Sequence, residues 1–366
     1  MRGGRHIAAV SDATFALRPG ECLALVGESG CGKSVLASAL LGLLPGNAET
    51  AGTAHLAGPA DAEPVELLTA DERLLSRAIR GRRVGLVPQS PSAHLTPVRT
   101  VRAQLEETVR ELTGVRRPEL RRAAREAADR AAFPADHLDR YPHQLSGGLA
   151  QRAATALALV GDAALLLADE PTTGLDRDLV DRTVDELRRH ISPAPAPAHQ
   201  PAPAPQETAP AAAPATEPAT QPANAEHRAR ALLMITHDLV AAERIADRVA
   251  VMYAGRIVEI ADARDFFGDP GPRHPYARRL LDALPERSFT PIPGMPPELG
   301  DLPAGCAFAP RCDQATERCA GLPALLDDVA CHHAPARAQH TATRAEQPTA
   351  AAPRAAEPRT DEAHHA

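Results

Sequence analysis

Several runs of consecutive apolar residues, each closing on glycine or a polar side chain, organise this chain. Residues 21–34 read ECLALVGESGCGKS. An apolar stretch without alternation suits a parallel strand buried on both faces, and the glycine-rich turn after it leads to Ser34 and the amphipathic run VLASALLGLL. The pattern predicts strand, loop, helix. RVGLVPQS predicts a strand with Gln89 near its end, ALLLADEPTTGLD one ending in Asp169 and Glu170, and ALLMITHDL one ending in His237. At 145–152, LSGGLAQR opens a helix on a serine and two glycines, and HPYARRLLDAL starts another with Pro275 in its first turn.

Other segments bound what the chain can be. The longest apolar stretch, ATALALVGDAALLLA, is too short and, with Asp162 in its middle, too polar for a bilayer span. The N-terminus lacks the apolar run of a secretory signal, so a cytoplasmic setting is expected. Residues 192–225 contain ten prolines and no apolar periodicity, which predicts an extended Pro/Ala insertion looping out into solvent; the tail from 336 should be disordered too. A net charge of −7 and 2% aromatic residues supply neither the basic field nor the stacking surfaces of a nucleic-acid binder.

Among the 40 basic residues, Lys33 is the single lysine. Gly27, Gly30 and Gly32 permit the backbone to turn its N–H groups toward phosphate oxygens beside a helix N-terminus. Lys33 is then the compact charge for the β- and γ-phosphates and Ser34 a hydroxyl ligand for Mg²⁺, a task that a planar guanidinium does not fit. Asp169 is placed to organise Mg²⁺, Glu170 to polarise an attacking water, His237 to contact the γ-phosphate and Gln89 to hold water and metal. Ser146, Gly147 and Gly148 form a second anion-binding helix start.

In order and spacing this set resembles the nucleotide-binding subunits of ABC transporters, from about residue 10 to 335. The resemblance identifies the loop Gly27, Glu28, Ser29, Gly30, Cys31, Gly32, Lys33 and Ser34 as Walker A, with Val35 after it also expected at the nucleotide, Gln89 as the Q-loop and LSGG as the signature. It makes LLLADE the Walker B strand, Asp176 the end of the D-loop and His237 the switch histidine. It implies an α/β fold of the P-loop NTPase type, a mixed sheet with a helical subdomain at about 91–162, within a nucleotide-binding domain over 1–260. A Cys-rich extension would occupy 261–335. Two such ATPase domains would close head to tail with ATP between them, and hydrolysis would be phosphoryl transfer to water with Glu170 as general base.

The segments PSAHLTPVRTV and HPYARRLLDAL, with Leu149 after LSGG, are similar to the oligopeptide, dipeptide and nickel importers. That subfamily implies two membrane permease subunits, a second ATPase chain and an extracytoplasmic solute-binding protein, with the protein at the cytoplasmic face of the membrane. Peptides are the expected cargo, with nickel or another small solute as the alternative. A soluble ABC ATPase and a thiol-based redox regulator are the competing classes. The family's upstream strand and adenine-stacking aromatic have no counterpart before Walker A, where Phe15 in the strand-like ATFAL is expected in the core; a start codon further upstream is the expectation.

Cys306, Cys312, Cys319 and Cys331 gather near the end. Four thiolates from one irregular segment suit tetrahedral zinc, with His332 or His333 able to replace one, or an iron–sulfur cluster; unliganded thiols are the third reading. The resemblance favours a [4Fe-4S] cluster over zinc.

Overall fold

The structure, a computed structural model, describes residues 6–58, 63–191 and 230–335. The Pro/Ala insertion and the tail from 336 lie outside the described residues. The elements run β1 (Cys22–Val26), α1 (Lys33–Leu40), β2 (His55–Leu56), β3 (Val65–Glu66), α2 (Glu72–Leu74), β4 (Val84–Val87), α3 (Pro91–His94), α4 (Val101–Thr113), α5 (Leu120–Arg130) and α6 (Gly147–Ala158). They continue as β5 (Leu165–Asp169), α7 (Arg177–Ile191), β6 (Ala231–Thr236), α8 (Leu239–Ile245), β7 (Arg248–Tyr253), β8 (Arg256–Asp262), α9 (Ala263–Phe267) and α10 (Pro275–Asp282).

Six strands form one sheet in the order β4-β5-β6-β1-β7-β8, parallel throughout except for the β7–β8 pair. The central strands β1 and β6 are buried at every position, as their uninterrupted apolar sequences require. Register places Val26 opposite Thr236, Asp169 opposite Ile235 and Val87 opposite Ala168. The carboxyl ends of β1, β4, β5 and β6 therefore lie along one edge of the sheet, where an open α/β sheet builds its ligand site.

α3 to α6 pack around their own core as a helical subdomain. The face of α5 that meets this core is Leu120, Ala124, Ala127 and Ala128, and its small alanines let neighbouring helices approach closely, with Leu105 of α4 and Phe133 in the same core. Thr100 caps α4 by accepting the Ala103 N–H at 3.2 Å, and Gly114 ends it in the left-handed region at φ 67°.

The segment after β8 packs back on the sheet through an aromatic cluster. Tyr253 of β7 stands 4.5 Å from Tyr276 of α10 and 5.4 Å from Phe308, ring centre to centre. The Glu259 carboxylate is 1% exposed and accepts the N–H groups of Arg273 at 2.7 Å and His274 at 2.8 Å, which offsets the cost of burying it. Phe15 does pack against the core. The ATFAL segment is nonetheless not a strand: among the described residues, ladder pairing in this part of the chain stops at the isolated bridge between Asp12 and Arg256, and Phe15 packs half-buried against the core without its segment pairing.

His190 near the end of α7 is 8% exposed, and its Nε2 has no hydrogen-bond partner among the described residues. Burial, aided by the positive charges of Arg230 and Arg130, pushes its pKa down to about 4. The unfolded chain takes up this proton near pH ~6.5, so protonation favours unfolding as the pH falls from there toward 4. Replacing His190 by Gln removes this titration. Urea unfolding is expected to show wild type losing about 2 kcal/mol relative to the variant between pH ~7.5 and ~4.5; a pH-independent difference would contradict the assignment.

Candidate active site

The loop after β1 is shaped by contacts that exclude any side chain at two glycines. A Cβ on Gly27 would sit 2.2 Å from the Met252 carbonyl oxygen, and one on Gly32, at φ 108°, 2.3 Å from that of Ala9. Backbone of β7 and of the N-terminal segment thus presses directly on the loop. Gly32 ends the loop and α1 begins at Lys33. The Lys33 side chain folds back along the loop, its Nζ donating to the carbonyls of Gly27 at 2.7 Å and Glu28 at 3.1 Å, with the Cys31 Sγ at 3.8 Å. Cys31 is buried, and its thiol pKa is raised by that burial, with Lys33 opposing the shift. Ser29, Gly30 and Val35 are exposed.

At the end of β5, Asp169 and Glu170 are 7% and 6% exposed. Burial lifts the Asp169 carboxyl above its usual range, with the Ser34 hydroxyl opposing that shift and the Glu170 carboxylate adding to it. Asp169 Oδ1 has no partner among the described residues. An orphaned buried carboxylate oxygen beside a serine hydroxyl is a donor set that fits a small divalent cation. Glu170 stands at φ 51°, a conformation that costs a non-glycine residue of order 1–3 kcal/mol. Its N–H donates to the Ile235 carbonyl at 2.8 Å, and its Oε2 lies 2.8 Å from His237 Nδ1 and 3.5 Å from Thr236 Oγ1. The Thr236 hydroxyl in turn accepts the Asp238 N–H at 2.9 Å, and Asp238 caps α8. Adjacent strand ends thus bring Lys33, Ser34, Asp169, Glu170 and His237 to one place.

Other expected site residues lie apart from this cluster. Gln89 is exposed in the loop after β4. Ser146 caps α6 by accepting the Leu149 N–H at 3.3 Å, and the signature turn Ser146–Gly147–Gly148 shares no hydrogen bond with the phosphate loop among the described residues. Asp176 caps α7 through the Leu179 N–H at 3.0 Å. Gln151, which sequence reasoning passed over, is 2% exposed and donates to the Pro88 carbonyl at 3.3 Å, tying the signature helix to the Gln89 loop. Its position one turn after LSGG is the only signal that could have drawn attention to it.

Cys306, Cys312, Cys319 and Cys331 line one small cavity together with Phe308 and His274. None of the four is joined in a disulfide, and burial raises the pKa of Cys306 and Cys312. His332 and His333 line the same cavity, with His332 Nε2 3.0 Å from the Gly321 carbonyl and His333 Nε2 2.9 Å from the Thr316 hydroxyl. Sharing a cavity is a looser condition than coordination: no three His, Cys, Asp or Glu side chains among the described residues stand in ion-binding geometry.

Residues 10–173 match the family model "ABC transporter", and residues 258–319 match "Oligopeptide/dipeptide transporter, C-terminal region". A putative peptide import ATP-binding protein of Brucella melitensis is 37% identical over 344 residues, covering 90% of each chain. The chain belongs to the oligopeptide/dipeptide family of ABC transporter ATP-binding proteins. The oligopeptide transport ATP-binding protein OppD of Escherichia coli is 35% identical over 343 residues, 87% of this chain and 84% of that one. The fold is that of the ATP-binding cassette MJ0796, solved as a dimer in a post-hydrolysis state with ADP and Pi, at TM-score 0.53 and 22% identity over 70% of this chain and 91% of that one. As a member of this family the protein is an ATPase. Among its described residues no helix is long and apolar enough to cross a membrane.

Proposed function

We propose that this ATPase powers the import of peptides from the cytoplasmic face of a membrane, docked on two permease subunits and paired with a second ATPase chain, with a solute-binding protein delivering cargo outside. The reading is supported by the names of its relatives and by the match of its C-terminal region to that of oligopeptide and dipeptide transporters. The observation that carries the hydrolytic part is the left-handed Glu170 at the end of β5, its carboxylate 2.8 Å from His237 and beside the orphaned oxygen of Asp169.

In this reading the loop N–H groups between Gly27 and Ser34 receive the β- and γ-phosphates, and Lys33 turns from the loop carbonyls to the γ-phosphate. Ser34 and Asp169, with Gln89, would hold Mg²⁺, which would supply neutralisation of phosphate charge. Glu170 accepts a proton from a water whose oxygen bonds to the γ-phosphorus as the bond to ADP breaks, and His237 orients the transferred group. Ser146, Gly147, Gly148 and Asp176 serve the partner's nucleotide, so closure of two chains completes each site and its reopening moves the permeases.

The four cysteines are read as a metal clip for the extension. Their donor set fits in kind a [4Fe-4S] cluster or tetrahedral zinc, and Cys306, Cys312, Cys319 and Cys331 are the residues that would hold it. Protein purified anaerobically is expected to contain iron and sulfide, lost in Cys312→Ser; zinc in their place would select the tetrahedral ion, and neither would overturn the clip.

The transport reading is tested in vesicles carrying the permeases and both ATPase chains. Wild type should accumulate a labelled oligopeptide on addition of Mg-ATP. Glu170→Gln should lose hydrolysis by about 100-fold or more while still binding ATP. Equal turnover in the variant would refute the base, and hydrolysis with no peptide uptake would refute the cargo.

A further inference from the structure

Glu28 is an acidic residue inside a loop built to receive a triphosphate. A bare carboxylate there would repel the ligand, and nothing in the hydrolytic chemistry calls for it. The residue is held at every polar group. Its N–H donates to the Tyr276 hydroxyl at 2.8 Å, and its carbonyl accepts from Lys33 Nζ at 3.1 Å. Its carboxylate receives both ends of the Arg311 guanidinium, Nη1 to Oε2 at 2.7 Å and Nη2 to Oε1 at 3.0 Å.

Arg311 comes from the far end of the chain, 283 residues later in sequence. Its side chain is only 4% exposed, against 25% for Glu28. Besides the carboxylate it has two further acceptors, the Pro293 carbonyl at 2.7 Å from Nε and the Tyr253 hydroxyl at 3.2 Å from Nη1. Its guanidinium carbon lies 5.9 Å from the ring centres of both Tyr253 and Phe308. The fork is thus fixed on the loop side by two bonds to Glu28 and on the extension side by packing against Phe308. Arg311 closes the short 3₁₀ turn Ala309–Arg311, and the next residue is Cys312 of the thiol cavity.

We propose that Arg311 is a positioning residue for the phosphate loop: it neutralises Glu28 and draws that carboxylate toward the four-cysteine extension, so that ATP affinity depends on the extension being folded against the loop. The proposal rests on the reading of Gly27–Ser34 as the ATP phosphate site. Its signature is a sign that simple loss of structure does not produce. Without the guanidinium, the loop keeps an uncompensated negative charge; removing the charge as well relieves the repulsion.

The test is Mg-ATP affinity of the full chain by titration calorimetry, with thermal unfolding measured alongside. Arg311→Met is expected to weaken ATP binding about tenfold or more. The pair Glu28→Gln with Arg311→Met should recover most of that loss even where the melting temperature stays low. Arg311→Lys, which keeps the charge without the planar fork, should stay within about threefold of wild type, a difference well under the tenfold step of ~1.4 kcal/mol. A double variant as weak as or weaker than Arg311→Met overturns the proposal, as does an Arg311→Lys protein no better than Arg311→Met. Lys33→Ala is the control for the underlying reading: if it bound ATP like wild type, the phosphate-site assignment would fall and the proposal with it, whereas the other failures leave that assignment standing.

Discussion

Close contact between backbone and backbone at the end of β1 is the constraint on which the rest of the site depends. Carbonyl oxygens of Met252 and Ala9 occupy the space where Gly27 and Gly32 would carry Cβ atoms, so the loop is clamped by the sheet beneath it and by the segment ahead of it. A glycine-rich loop in isolation would lose its shape to conformational entropy. Clamped, it holds Lys33 at the start of α1 with the ammonium turned toward the loop's own carbonyls. Parallel strands then bring the ends of β5 and β6 to the same edge, so acidic and histidine side chains far apart in sequence meet Lys33 without any dedicated scaffold.

The strain in that arrangement is concentrated at Glu170. A carboxylate residue in the left-handed region persists because its N–H is bound to Ile235, in a strand buried at every position, and its side chain reaches His237, the residue that follows that strand. The sheet's stability thus holds a carboxylate at the strand edge in a geometry that its own backbone preference would not select. The aromatic cluster of Tyr253, Tyr276 and Phe308 does comparable work for the C-terminal extension, joining it to the sheet beside the loop through apolar contact and leaving the hydroxyls of both tyrosines for polar groups at its rim.

Much of this was legible in the chain. CLALV, LLLAD and ALLMIT lack alternation because both of their faces are covered, and each duly forms a parallel strand. The lone lysine and the glycines around it marked the loop. ATFAL misled because apolar composition reports contact with the core, and Phe15 packs half-buried against that core without its segment being paired. The bond from Gln151 to Pro88 and the pair of Arg311 with Glu28 were not legible: both join segments distant in sequence, and neither leaves a periodic trace. The cysteine spacing pointed to one cluster, and the four thiols do border one cavity, but approach to coordinating distance depends on loop geometry that spacing does not encode.

The central claim is that the site needs a compact, retractable charge at position 33, one that can lie along loop carbonyls and swing to a phosphate. Lys33→Arg tests it most directly, since charge is kept and only shape and donor geometry change. Equilibrium binding of Mg-ATP to the purified variant should be weaker by about 100-fold or more, equivalent to ~2.7 kcal/mol. An arginine protein that binds Mg-ATP within a few-fold of wild type would contradict the account.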